Sequence, residues 1–185
     1  EKGSTDVEIG PVSMLEGAHK QPDYLAKAGL PNVPMLEMDD GTCITESLAI
    51  ARYLESLYPE PNLMGRDPRE TAIIEMWTRR VEMMVATPLM MAVRHTHPAL
   101  AVLEKQNPAV GESNVESGTR ALKLIDRRLA ESPWIAADRL TIADIVAFAS
   151  IDFARMIRFK PPEEMIHLGR WMEAMNARES VSLAK

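Results

Sequence analysis

One cysteine in 185 residues excludes an internal disulfide framework and any cysteine-built metal centre. The same count fits a reducing compartment, and a cytoplasmic location is the expectation. Basic charge is short as well: 21 Lys and Arg face 27 Asp and Glu, a formal charge of −6. A negative field disfavours nucleic acid and anionic membrane, which bind through clustered Lys and Arg. No apolar run approaches the roughly 20 residues needed to span a bilayer, and no secretory leader is visible. Internal repeats and low-complexity tracts are missing. So is an initiator methionine, and Glu1-Lys2-Gly3 reads like the end of an element. A preceding segment is therefore expected.

What is present suits a folded chain. Apolar residues make up 46% and charged residues 26%, an ordinary globular balance. The length allows one large domain or two small ones.

The two parts of the chain have different grammar. Up to residue 45 the sequence is punctuated by Gly and Pro and holds short extended runs. Val7-Glu8-Ile9 is a weak strand candidate. Val33 to Met38 and Thr42 to Thr45 are better ones, and Asp39-Asp40-Gly41 between them signals a tight turn. A β-hairpin is predicted there. A helix follows from Glu46 or Ser47, with Ile50, Ala51, Leu54, Leu57 and Tyr58 at helical spacing. Pro59-Glu60-Pro61-Asn62 stops it, and residues 59–66 read as an interdomain linker.

Everything beyond is helical. Asp67-Pro68-Arg69-Glu70 offers an N-cap, a proline at the first helical position and an early acid. Ile73, Trp77, Val81, Met84, Pro88 and Met91 mark one face of a long helix with an expected kink at Pro88. Ser113-Asn114-Val115-Glu116 and Thr141-Ile142-Ala143-Asp144 both read as capping boxes. Val115, Leu122, Ile125 and Leu129 follow the first. Ile145 to Ala149 follow the second and are apolar all round, which places that helix inside a bundle. Met165, Leu168, Met172 and Met175 form a last stripe, with Trp171 beside it.

Two features carry chemistry. Val33-Pro34 opens a strand, where proline cannot donate to a ladder. Either the bond is cis and Val33 presents its amide and carbonyl outward, or a trans proline sits on an edge strand; cis occurs in only about 5–6% of X–Pro bonds. The second feature is Thr45-Glu46-Ser47 at a strand-to-helix junction. A helix start leaves amides free and carries partial positive charge, which suits a carboxylate. The Ser47 hydroxyl can bond that carboxylate, and Glu46 can pair with a neighbouring ammonium. The alternative is that both residues only cap the helix.

Residues 16–58 resemble the glutathione-binding half of a bacterial-type cytosolic glutathione S-transferase. The resemblance is carried by Val33-Pro34, the hairpin, and Glu46-Ser47-Leu48-Ala49-Ile50-Ala51-Arg52-Tyr53-Leu54. Tyr58-Pro59-Glu60-Pro61-Asn62-Leu63 is similar to that family's linker, and Thr141 to Asp144 to the box of its central buried helix. The likeness implies an incomplete thioredoxin-like α/β domain over 1–58, a linker over 59–66 and an all-helical domain over 67–185. It implies a cis bond at Pro34. It gives Val33 and Pro34 the cysteinyl part of glutathione, and Glu46 and Ser47 the γ-glutamyl end. His19 and Lys20 would reach the glycyl carboxylate, unless their segment is a solvated loop. The usual Asn-Pro before the Val-Pro strand is replaced by Ala28-Gly29, followed by Leu30-Pro31-Asn32, from which Asn32 could reach the ligand.

The same likeness implies glutathione as co-substrate, no metal, an apolar electrophile as second substrate and a homodimer. The family's first strand and most of its first helix, which carry the thiol-activating residue, are expected ahead of Glu1, so the catalytic residue itself is unknown. Peroxide or disulfide reduction with glutathione, and a non-catalytic ligand-binding or interaction protein, are the alternatives. Cys43 reads as an inert strand residue, and His95-Thr96-His97 as a surface turn without a third metal ligand. Among 13 methionines, Met83 and Met90 are candidates for the electrophile pocket; core or dimer packing is the plainer reading.

Overall fold

The computed structural model describes residues 1–3, 6–103 and 105–183. It divides into two units, Glu1–Asn62 and Leu63–Lys185.

The first unit is organised by one turn. Gly41 has φ 81°, a left-handed conformation that costs glycine nothing. Its amide donates to the Met38 carbonyl at 2.9 Å, and the Met38 amide to the Thr42 carbonyl at 2.9 Å. The Thr42 amide donates to Asp40 Oδ1 at 2.9 Å, and this bond holds the Asp40 carboxyl below its usual range. The loop closes β1, Met35–Glu37, against β2, Cys43–Thr45. The pair is antiparallel, with Met35 opposite Thr45, Leu36 opposite Ile44 and Glu37 opposite Cys43.

Upstream lies a 3₁₀ turn, Ala18–Lys20, and then α1, Pro22–Ala28. Pro22 opens α1, and Gly29, at φ 72°, closes it by donating to the Leu25 carbonyl. Lys27 Nζ meets both Glu37 carboxylate oxygens at 2.8 Å. That pairing ties α1 to β1 and pushes the Lys27 ammonium above its usual range. α2, Ser47–Leu57, packs on both strands. Val7-Glu8-Ile9 does not form the predicted strand. It pairs with neither β1 nor β2, and Ile9 is 90% exposed; short runs need a ladder partner to persist as strands.

The first helix of the second unit is capped by Asp67, whose carboxylate accepts from the Arg69 and Glu70 amides at 2.8 and 2.9 Å. α3 runs Pro68–Val81, a π-helical turn covers Glu82–Ala86, and α4 runs Thr87–Thr96. The reason for the wide turn is legible. Trp77, Val81, Val85, Leu89 and Val93 are all buried. Steps of four overshoot a 3.6-residue period by about 40° each, so an unbroken α-helix would rotate this row off the core. The π turn resets the phase just before Pro88, which has no amide to donate. Thr87 Oγ1 bonds the Glu82 carbonyl at 2.9 Å across the turn. The predicted face is corrected accordingly: Ile74, not Ile73, joins the core, and Ile73 and Met84 face outward.

α5, Pro108–Glu131, starts five residues before the predicted Ser113 box. Asn107 caps it by accepting the Ala109 amide at 3.2 Å, and Pro108 takes the first position. Ser113 is helix interior, its carbonyl bonded by the Ser117 hydroxyl at 2.9 Å. The expected surface turn at 95–97 is also corrected. His95 is buried, and its Nδ1 accepts the Asn107 amide at 3.1 Å. Gln106 Nε2 donates to the Arg94 and His97 carbonyls at 2.8 and 2.7 Å. Gly111 and Gly118 let α5 close on α4: a Cβ at Gly118 would sit 2.9 Å from Leu89 Cδ2, and one at Gly111 would collide with the Thr96 methyl.

α6, Ile142–Phe153, packs against α3, the π turn and α4. Its Thr141–Asp144 box forms as predicted, Thr141 donating its amide and its hydroxyl to Asp144 Oδ2, each at 3.0 Å. Asp144 Oδ1 accepts the Ile135 amide at 2.9 Å and Trp171 Nε1–H at 3.0 Å. α7, Ile166–Asn176, buries Leu168, Trp171 and Met175; Trp171 lies in this stripe, and Met172 at its margin. A short α8, Glu179–Leu183, follows. No helix among the described residues is long and apolar enough to cross a membrane.

Candidate functional site

The hairpin register does the assembling. Met35 faces Thr45 as the last pair of the ladder, so Val33-Pro34, which enters β1, and Glu46-Ser47, which leaves β2, lie at the same end of the hairpin. Two features thirteen residues apart in the chain thus meet at the open end of the hairpin, where α2 begins.

Each has free hydrogen-bonding groups. The Val33–Pro34 bond is cis. Val33 is exposed, and no hydrogen bond to its amide or carbonyl occurs among the described residues. Glu46 is the residue before α2 and has φ 70° and ψ 118°. A non-glycine residue in that region costs on the order of 1–3 kcal/mol and persists where the surroundings impose it. Glu46 makes no capping bond. Glu46 and Ser47 are exposed, and neither side chain has a partner among the described residues. The capping alternative is therefore not realised here. The first intrahelical bond runs from the Ile50 amide to the Glu46 carbonyl at 3.0 Å. The amides of Ser47, Leu48 and Ala49 precede it, at the positive end of an eleven-residue helix.

The remaining predicted residues are placed as follows. His19 is buried, and its Nδ1 has no hydrogen-bond partner among the described residues; Lys20, beside it on the 3₁₀ turn, is exposed. A solvated loop describes Lys20 and does not describe His19. Asn32 is exposed, and its backbone carbonyl accepts a bond from the Tyr24 hydroxyl. Tyr24 was not among the predicted residues, since a hydroxyl-to-carbonyl contact across a loop leaves no spacing pattern. Cys43 is half-buried on β2, its sulfur 3.6 Å from the Gly41 carbonyl. Met83 and Met90 belong to the second unit, on the outward side of the π turn and α4, with 69% and 42% of their surface exposed. Neither is core. No group of three or more His, Cys, Asp or Glu poised for a metal occurs among the described residues.

Chemically, the junction offers an unpaired carboxylate, a free hydroxyl, a helix start and an open peptide edge. A ligand with an ammonium beside a carboxylate, continuing into an extended peptide, uses all four.

Comparison with known proteins identifies the family. The family model for the glutathione S-transferase N-terminal domain matches residues 2–56, and that for the C-terminal domain matches residues 80–179. Glutathione S-transferase 2 of Saccharomyces cerevisiae is 34% identical over 179 residues, covering 96% of this chain and 77% of the relative. The crystal structure of Gtt2 from the same yeast superposes with a TM-score of 0.85 at 34% identity, over 92% of this chain and 83% of that one. A glutathione S-transferase domain-containing protein from Marinobacter aquaeolei VT8 reaches 0.90 at 35% identity, over 98% and 90%. Elongation factor 1-gamma of Equus caballus is 29% identical over 72% of this chain and 29% of its own length. The chain belongs to the glutathione S-transferase family.

Proposed function

We propose that this protein is a glutathione transferase that binds the tripeptide along the open end of the hairpin. The observation that carries the reading is the exposed, unpartnered Glu46–Ser47 pair at the start of α2, at the same end of the hairpin as the free backbone of Val33. In this reading the γ-glutamyl carboxylate sits on the α2 amides and the Ser47 hydroxyl. Glu46 pairs with the γ-glutamyl ammonium. Val33, followed by Pro34, bonds the cysteinyl unit through its backbone. His19 and Lys20 take the glycyl carboxylate, which supplies the missing partner of the buried His19 imidazole. Asn32 lies at the rim.

The chemistry follows from the thiol. Glutathione's sulfur is mostly protonated at neutral pH, with a free thiol pKa of about 8.5, and the thiolate is the nucleophile. The residues above bind and orient; the thiolate forms a carbon–sulfur bond to an apolar electrophile and displaces its leaving group. Met83 and Met90 are proposed for the electrophile side, since methionine adapts to varied apolar shapes. Pairing of two copies and a 59–66 linker belong to the same reading; light scattering that gives only a 20.6 kDa particle removes the dimer.

Calorimetry with glutathione tests the site. Ser47→Ala is expected to weaken binding by about 1–3 kcal/mol, the worth of one bond to a charged group. An unchanged affinity takes Ser47 out of the site. The likeness to elongation factor 1-gamma supports a second reading, a non-catalytic ligand-binding or interaction domain. Binding without conjugation of any apolar electrophile would favour it.

A further inference from the structure

We propose that Tyr24 is a positioning residue that aims the Val33 amide at the ligand. This rests on the glutathione reading above and adds a residue to it.

The argument starts from one peptide plane. The Asn32 carbonyl and the Val33 amide belong to the same peptide unit, and the Asn32–Val33 bond is not among the cis bonds of the chain. In a trans unit the C=O and N–H point in opposite directions within a plane. Whatever holds the Asn32 oxygen therefore also sets the direction of the Val33 hydrogen. The Tyr24 hydroxyl holds that oxygen, donating to it from α1.

The loop needs such a hold. It runs from Gly29, in a left-handed conformation at φ 72°, to β1 at Met35. Leu30 to Pro34 are all exposed. Here Ala28-Gly29 stands in place of the Asn-Pro expected from the family resemblance. Hydrogen bonds to the backbone of Leu30, Pro31, Val33 and Pro34 do not occur among the described residues. The Tyr24 contact is thus the cross-link that reaches into this stretch. Its other end is anchored: Tyr24 is half-buried, and its helix is tied to β1 through Lys27 and Glu37. A donor on the Asn32 oxygen also polarises the peptide unit, which strengthens the Val33 amide as a donor.

The test compares wild type, Tyr24→Phe and Ser47→Ala, all as the full chain, with glutathione as the titrant. Tyr24→Phe keeps the ring and removes only the hydroxyl. The expected result is a three- to tenfold rise in Kd, roughly the factor that one net hydrogen bond carries, with the thermal midpoint held. The decisive second readout is the Val33 amide proton by NMR. In wild type it moves downfield as glutathione saturates the site; in Tyr24→Phe that movement shrinks while the Ser47 and Leu48 amides still respond. If Tyr24→Phe binds like wild type and Val33 responds equally, while Ser47→Ala still weakens binding, the Tyr24 role is overturned and the site stands. If wild type shows no binding, the site and the Tyr24 role fall together.

Discussion

Replacing Asp144 by alanine is the sharpest test of how the helical unit holds together. The carboxylate is fully buried and accepts four hydrogen bonds at 2.9–3.0 Å: the Ile135 amide, the Thr141 amide, the Thr141 hydroxyl and the Trp171 indole. Alanine leaves the two amides and the indole without acceptors; the hydroxyl can rotate to another. Each orphaned buried donor costs about 1–3 kcal/mol. Relief of the buried charge offsets part of this. A net loss of about 3–5 kcal/mol is expected, the range for breaking a buried polar network from one side. Asp144→Asn keeps one acceptor oxygen and should cost roughly half as much, while Thr141→Ala should cost about 1 kcal/mol, a typical cap loss. All three tryptophans, Trp77, Trp134 and Trp171, lie in the second unit. Urea unfolding followed by indole fluorescence therefore reports that unit by itself. If Asp144→Ala unfolds within about 1 kcal/mol of wild type, the network is not what stabilises α6 and this reasoning fails.

Further outcomes follow from charge and from contact. Burial pushes the Asp144 carboxyl above its usual range, against the pull of its donors; its contribution is full below the ordinary aspartate value of about 3.9 and declines as pH rises through the raised value. Glu70 behaves oppositely: the Arg139 guanidinium holds its carboxyl below the usual range, so its contribution is present above about pH 4.3 and disappears as pH falls through the lowered value. Glu70→Gln should cost about 1 kcal/mol at neutral pH, since the pair is partly solvated, and nothing measurable near pH 2 by the same fluorescence melts. Gly111→Ala should destabilise the second unit by about 1–3 kcal/mol, because the added methyl is driven into Thr96 and the helix pair must part; a gain in midpoint from better helix propensity would show that α4 and α5 yield easily.

Much of this fold could be read from the chain where local chemistry and tertiary demand agree. Asp39-Asp40-Gly41, Asp67-Pro68 and Thr141 to Asp144 each satisfy their own backbone groups within a few residues, and each forms as predicted. Ser113 to Glu116 has the same pattern and does not start a helix, because Asn107-Pro108 upstream had already begun one. On the long helix Trp77 and Val81 are buried as predicted, but beyond the π turn the buried row runs through Val85 and Leu89 instead of Met84 and Pro88, because a 3.6 period does not carry across the wider turn. His95 was placed at the surface because nothing in His95-Thr96-His97 reveals that the Asn107 amide needs an acceptor there. Of the candidate site, Val33, Glu46 and Ser47 were readable through the family resemblance. Their meeting depends on the hairpin register, and Tyr24 on a contact that only the folded loop creates.

The hairpin turn lies at the end of the ladder away from Val33-Pro34 and Glu46-Ser47. Three residues, 39 to 41, decide how far the returning strand overlaps the outgoing one. Add or remove one, and Met35, which now lies across from Thr45, would lie across from a different neighbour, with alternate side chains flipped to the other face. The length of that bend therefore decides which residues meet at the open end of the hairpin, so its residue count is constrained even where its side chains are free to drift.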